Sequence, residues 1–134
     1  MATGNALIYT AIGDSLSVGT GAFLYQGFEK RYASLAEETL QRPININIYA
    51  KNGATSEDIL QRVRTSKVRK GIRDAAIITL TAGGNDLIHA ARKYAKTKES
   101  YVFEEALYNF SVNLTAIMND IHEIKSSTAA PFII

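Results

Sequence analysis

Leu7-Ile8-Tyr9-Thr10-Ala11-Ile12-Gly13-Asp14-Ser15-Leu16-Ser17 decides the fold class of this chain. An apolar, β-branched run from Leu7 to Ile12 stops at a glycine and a polar turn, the pattern of a buried strand that hands its next residues to the rim of a sheet. The arrangement recurs twice. Ile44 to Tyr49 alternates apolar and polar residues and leads to Asn52-Gly53-Ala54-Thr55; Ala75 to Thr81 leads to Gly83-Gly84-Asn85-Asp86. Residues at the carboxyl ends of parallel strands meet in one crevice, so these three polar motifs are candidates for a shared site.

Helical segments separate the strands. One is expected from about Gly27 to Leu40, stopped near Pro43. Thr55-Ser56-Glu57-Asp58 opens another, with Thr55 and Asp58 at capping-box spacing. A short basic helix follows from about Asp86 to Lys96, then a long one from about Ser100 to Lys125. In the long helix Phe103, Leu107, Phe110, Leu114, Ile117, Ile121 and Ile124 alternate spacings of four and three, which predicts one apolar face packed on the sheet. Pro131-Phe132-Ile133-Ile134 reads as the beginning of a fourth strand. Strand and helix in alternation imply an α/β fold with a parallel sheet covered on both faces and right-handed crossovers. The expectation is a single domain over residues 1–134, the N-terminal portion of a longer one, whose uncovered sheet edge invites self-association.

Composition narrows the function classes. The 134 residues are 46% hydrophobic, enough for one core, and contain no cysteine, which removes disulfides, thiol nucleophiles and thiolate metal sites. A formal charge of +2 gives no strong field toward nucleic acid or membranes. There is no run of about eighteen apolar residues and no integral membrane segment is expected. Met1-Ala2-Thr3-Gly4-Asn5 lacks signal-peptide character, and localisation stays open: a soluble chain is expected, cytoplasmic as written and secreted or surface-attached if a signal was removed. No internal repeat or linker interrupts it, and the reading calls for neither cofactor nor metal.

Ser15, two residues beyond the glycine that ends the first strand, sits where a following helix can aim backbone N–H groups at an anion. Gly53 permits close approach of its own N–H, and the Asn85 amide is a second donor of the kind acyl transfer places around a developing oxyanion. Each motif taken singly also reads as a turn or helix cap, with Asp14, Asn52, Asn85 and Asp86 in ordinary capping roles. Three rival motifs fail: no lysine follows Gly19-Thr20-Gly21 as a phosphate loop needs, Leu24 stands where a dinucleotide fingerprint has its third glycine, and Gly-x-Ser-x-Gly is absent.

Taken together, in order and spacing, Gly13-Asp14-Ser15-Leu16, Gly53 and Gly83-Gly84-Asn85-Asp86 resemble the SGNH hydrolases, the GDSL-type esterases and lipases, closest in character to lipase/acylhydrolases of bacilli and related bacteria. The resemblance implies a flavodoxin-like three-layer α/β/α sandwich, of which this chain holds about four of five strands. It implies Ser15 as nucleophile, with the Ser15 N–H, the Gly53 N–H and the Asn85 side chain as oxyanion hole, Asp14 and Asp86 in support, and an acyl ester or lipid as substrate.

The family's Asp-x-x-His block, which holds the base, has no counterpart in its expected place, so the isolated chain is expected to be nearly inactive. Asp86-Leu87-Ile88-His89 spells that pattern but overlaps the third motif and begins a helix, so His89 is expected as a helix-surface residue at a cleft rim; the base is left unknown, with His89 kept as a candidate. His122 falls off the apolar stripe and is expected in solvent. Two other readings stay open: a non-catalytic SGNH-like binding domain, and a flavodoxin-like phosphate or nucleotide binder. Arg62, Arg64, Lys67, Arg69, Lys70 and Arg73 read as a solvated helix-loop face rather than a lipid or nucleic-acid patch, and Phe23, Leu24, Tyr25 and Phe28 as core residues rather than a lid.

Overall fold

β1 (Leu7–Gly13) lies at the centre of a parallel sheet, between β2 (Ile44–Ala50) and β3 (Ile77–Leu80). The structure is a computed structural model in which residues 5–14, 17, 27–128 and 130–134 are described. Tyr9 stands opposite Ile46 and Ile77, and Ile12 opposite Tyr49 and Leu80. Because β1 is covered on both faces, it is apolar almost throughout rather than alternating. Tyr9 and Ala11 pack with Ala33, Ile44 and Ile77 on one side, while Ile12 joins Ile59, Ile72, Ile78, Ile117 and Ile121 on the other.

α1 (Phe28–Leu40) covers the first face; α2 (Ser56–Val63), α3 (Ser66–Asp74) and α5 (Tyr101–Ser126) cover the second, and α4 (Gly84–Thr97) packs along α5. The result is an α/β/α arrangement with a three-strand sheet. Ile133 forms a parallel bridge to Ile77, with Ile78 N–H donating to Ile133 O and Ile133 N–H to Ala76 O, both at 2.9 Å. That places the beginning of a fourth strand beside β3 and extends the spatial order 2-1-3 in the flavodoxin-like manner.

Local chemistry explains the element ends. At α2, Asp58 N–H donates to Thr55 Oγ1 at 3.3 Å and Thr55 N–H to Asp58 Oδ2 at 2.9 Å, the expected capping box. α3 approaches the sheet closely because Gly71 has no side chain: a Cβ there would strike the Tyr49 ring, and Thr10 Oγ1 donates to Gly71 O at 2.8 Å. Its carboxyl end is closed from α5 by the buried Lys125, whose Nζ donates to Arg73 O at 2.9 Å and Ala75 O at 2.7 Å. Burial holds that ammonium below its ordinary pKa.

The structure differs from the sequence reading in three places. The helical segment between β2 and β3 is two helices, broken at Arg64-Thr65, where Thr65 Oγ1 donates back to Arg62 O at 2.7 Å. β3 is shorter than Ala75 to Thr81: Ala75 N–H is spent on Ile72 O as the cap of α3, and Thr81 turns into the third motif after bonding Ile12 O. The apolar stripe of the long helix is buried only in its second half. Ile117, Ile121 and Ile124 lie in the core, whereas Leu107 is 68% exposed. Length accounts for it: the 26 residues of α5 extend about 39 Å, and the seven of β1 only about 23 Å. The first half of α5 therefore runs beyond the sheet and packs on α4 instead, through Phe110 against Gly83 and Phe103 against Tyr94, the latter rings 5.4 Å apart.

Candidate active site

Direct hydrogen bonds join the carboxyl ends of all three strands. Lys51 N–H, in the loop after β2, donates to Gly13 O at 3.1 Å. From the end of β3, Thr81 Oγ1 accepts the Asp14 N–H at 3.2 Å and donates to Asp14 Oδ1 at 3.0 Å; Ser17 Oγ lies 2.9 Å from Thr81 Oγ1. Asp14 and Ser17 are both buried. A Cβ at Gly13 would occupy the position of Thr81 Oγ1, so only glycine lets the first strand end this close to the third.

The second and third motifs are clasped as tightly. Asn85 Nδ2 donates to Ala54 O at 2.8 Å. Asp86 Oδ2 accepts the Ser56 N–H at 2.9 Å and Asp86 Oδ1 the Ser56 hydroxyl at 2.6 Å, while Asn113 Nδ2, from α5, donates to Ser56 Oγ at 3.0 Å. Asp86 thus satisfies an N-terminal N–H of α2 from another helix, and its charge lies at the positive end of that helix. An amide nitrogen carries two protons, so the bond to Ala54 O orients the Asn85 side chain and leaves one proton for another acceptor. Gly53 has φ of +79° and Gly83 of +103°, left-handed values that admit both tight turns.

Gly53 is exposed, and Asn85 and Asp86 half-buried, at the mouths of α2 and α4. Ser15 lies outside the described residues, as do Phe23, Leu24 and Tyr25; Phe28, expected in the core, is instead 40% exposed at the start of α1. His89 is exposed on α4, and His122 is exposed on α5 with its ring 5.9 Å from that of Phe132. The Thr55 backbone N–H holds the Asp58 carboxyl below its ordinary pKa, with smaller help from the charges of Lys51 and His89. Of the basic run, Arg64 pairs with Asp120 at 2.8 Å, Lys70 with Asp74 at 2.6 Å, and Lys67 lies over the Tyr49 ring. Among the described residues, no cluster of three or more His, Asp or Glu could hold a metal ion, and no helix is long and apolar enough to cross a membrane.

The sequence reading missed Thr81, Ser56 and Asn113. Thr81 closes a strand directly before the Gly83 turn, and Ser56 sits inside the capping box, so both signals were read as local structure only. Asn113 shares a helical face with Val102, Ala106, Ile117 and Ile124, and a polar residue on an apolar face was the available sign.

A model of the GDSL-like lipase/acylhydrolase family matches residues 11–133, a span that contains all three motifs. The chain belongs to this family. Over 129 residues this GDSL-family chain is 35% identical to the spore germination lipase LipC of Bacillus licheniformis, covering 96% of itself and 61% of LipC. It is 30% identical over 119 residues to the uncharacterized protein YpmR of Bacillus subtilis, covering 88% of itself and 47% of YpmR. The crystal structure of the lipase Lip_vut3 from a goat rumen metagenome superposes with a TM-score of 0.88 at 35% identity, over 96% of this chain and 61% of that one. AlinE4, an SGNH-hydrolase family esterase, superposes with a TM-score of 0.62 at 22% identity, over 92% of this chain and 57% of that one, a likeness of fold alone. The chain spans less than two thirds of the length of each of these relatives.

Proposed function

We propose that this GDSL-family chain carries the nucleophile and the oxyanion hole of a serine ester hydrolase acting on acyl esters, lipids among them. Ser15 Oγ attacks the ester carbonyl carbon and its proton passes to a general base; the carbonyl π electrons move to oxygen, where the Gly53 N–H, the Ser15 N–H and the second Asn85 amide proton receive the negative charge. Collapse of that intermediate expels the alcohol, which takes the proton back from the base. Water then attacks the acyl-enzyme, and the carboxylic acid leaves with Ser15 restored.

The observation that carries this reading is the double clasp of Ala54 to Asn85 and Ser56 to Asp86, which holds two of the proposed donors in one fixed relation. Preorganised donors act where charge develops, and losing one costs about 2.7 to 4 kcal/mol of transition-state stabilisation. The base is left open: His122 stands against Phe132, and His89, exposed on α4, lines a cavity with Thr55 and Asp86 and is a weak candidate. The 134-residue chain alone is proposed to turn over esters very slowly. Self-association through the sheet edge at Ile133, which is 64% exposed, is a further proposal that sedimentation tests.

Hydrolysis of a p-nitrophenyl short-chain ester by the full-length protein tests the reading. Asn85→Ala should lower kcat by about 100- to 1,000-fold with KM little changed. An unaltered kcat in a folded Asn85→Ala protein would remove the oxyanion role and favour a binding domain without chemistry.

A further inference from the structure

α4 leaves the carboxyl end of β3 at Gly84, and its 14 residues extend about 21 Å. α5 returns along it: Phe103 meets the Tyr94 ring, Phe110 meets Gly83, and Asn113 reaches Ser56, just past the second motif. Only farther on, where Lys125 bonds to Ala75 O, does α5 arrive at the amino edge of the sheet. The two helices therefore stand as a hairpin beyond the carboxyl edge, on the side of the three motifs.

The hairpin has two unlike sides. His89, Lys93, Glu105 and Asn109 make one of them polar, across from Glu57 of α2. On the other, Gly83, Leu87 and Tyr94 follow at helical spacing opposite Phe110, Leu107 and Phe103, which puts Leu87 beside Leu107 at the seam. Leu87 is 60% exposed and Leu107 68%, and Phe103 and Phe110 are only half-buried. Among the described residues, seven of the fourteen exposed large apolar side chains lie between Leu87 and Val112. Such a concentration marks a surface for association, unlike apolar residues scattered singly.

The tip of the hairpin is basic. Residues 91–101 are all exposed and hold Arg92, Lys93, Lys96 and Lys98 against Glu99 alone, so the small formal charge of +2 conceals a local concentration. Among the described residues, Arg92, Lys96 and Lys98 enter no ion pair. Lys98 Nζ lies 5.8 Å from the centre of the Tyr94 ring, which carries it onto the apolar side. Lysine is depleted at interfaces between proteins. Leucine, aromatic rings and lysine on adjoining faces are instead what an element lying in a lipid headgroup layer presents. The geometry points to this hairpin as a docking element for an anionic lipid surface, with Leu87, Tyr94 and Leu107 entering the headgroup layer and Lys96 and Lys98 on its phosphates. The carboxyl edge of the sheet is then turned toward the same surface. Docking is separate from the chemistry; its use, supplying lipid esters to the crevice, rests on the ester hydrolysis proposed above.

Co-sedimentation of the full-length protein with lipid vesicles tests it. Vesicles of equal parts phosphatidylglycerol and phosphatidylcholine should carry the protein down, and vesicles of phosphatidylcholine alone far less. Each lysine near such a surface is worth about fivefold in partitioning, so Lys96→Gln combined with Lys98→Gln should weaken it about 25-fold. Leu107→Ser, at an exposed position that leaves the core intact, should weaken it about tenfold. Neither variant should alter hydrolysis of a soluble p-nitrophenyl short-chain ester. No sedimentation with the anionic vesicles, equal sedimentation with both kinds, or sedimentation unchanged in both variants overturns the docking and leaves ester hydrolysis standing. A dimer that Leu107→Ser separates, with vesicle binding unchanged, makes this face a contact between copies and overturns the docking as well. Vesicle binding that responds to the variants, in a wild-type protein that does not hydrolyse the soluble ester, overturns the hydrolase reading alone.

Discussion

Thr81 holds Asp14 from both ends of one hydroxyl: its Oγ1 accepts the Asp14 N–H at 3.2 Å and donates to Asp14 Oδ1 at 3.0 Å. The backbone position of Asp14 and the direction of its side chain are fixed together, one residue before Ser15. Thr81→Val keeps the shape and removes the hydroxyl. A displacement of about 1 Å in a reacting group can cost about 100-fold, so a 10- to 100-fold fall in kcat is expected with KM preserved. Thr81→Ser should restore most of it. Ester turnover by the three full-length proteins reads this directly, and equal loss in Thr81→Ser would show that packing, not the hydroxyl, matters.

The Ser56–Asp86 clasp should be worth stability as well as geometry. Asp86→Ala leaves the Ser56 N–H and hydroxyl without their acceptor in a buried place, a loss of about 1 to 3 kcal/mol. Urea unfolding of wild type and Asp86→Ala measures it. A change below the error of the extrapolation would mean that water replaces the carboxylate.

The capping box of α2 gives a pH signature. Asp58 has its pKa lowered from 3.8 in the folded chain, so its contribution is fully present above 3.8 and is lost as pH falls through the lower folded value. Asp58→Ala should cost about 1 kcal/mol at pH 6, and the difference from wild type should shrink below pH 3.8. Paired denaturation curves at pH 6 and at pH 3 check both sign and window.

Gly53 isolates a backbone effect. A Cβ there meets nothing within 4 Å, so Gly53→Ala should cost only the strain of a left-handed residue, φ +79°. That is about 1 to 2 kcal/mol, seen as a lowered thermal midpoint, with Gly53→Asn milder than Gly53→Ala.

Much of the fold was legible because it is written locally. Leu7 to Ile12 is apolar on both faces, so a doubly covered strand was the only consistent reading, and Thr55 with Asp58 named the start of α2. The break at Arg64-Thr65 was not legible, since no glycine or proline marks it and Thr65 closes it with its own hydroxyl. Leu107 belongs to a sound helical stripe, yet periodicity gives the direction of a face and not what lies beneath it. That depended on the overhang of α5 past the sheet. For the candidate site, topology allowed the expectation that loops after parallel strands converge, and the hydrogen bonds among Gly13, Lys51, Asp14, Thr81, Ala54 and Asn85 realise it. The pairings of Thr81, Ser56 and Asn113 were out of reach because their partners are 67, 30 and 57 positions away, although the place of Asn113 on an apolar face marked the residue itself.

Replacement of Ser15 tests the central claim most directly. In the full-length protein, Ser15→Ala should abolish hydrolysis of a p-nitrophenyl short-chain ester and labelling by a fluorophosphonate, with the fold intact by circular dichroism and thermal midpoint. Turnover retained in a folded Ser15→Ala protein, or a fluorophosphonate adduct mapped to a different residue, would contradict the proposal that Ser15 is the nucleophile of a serine esterase.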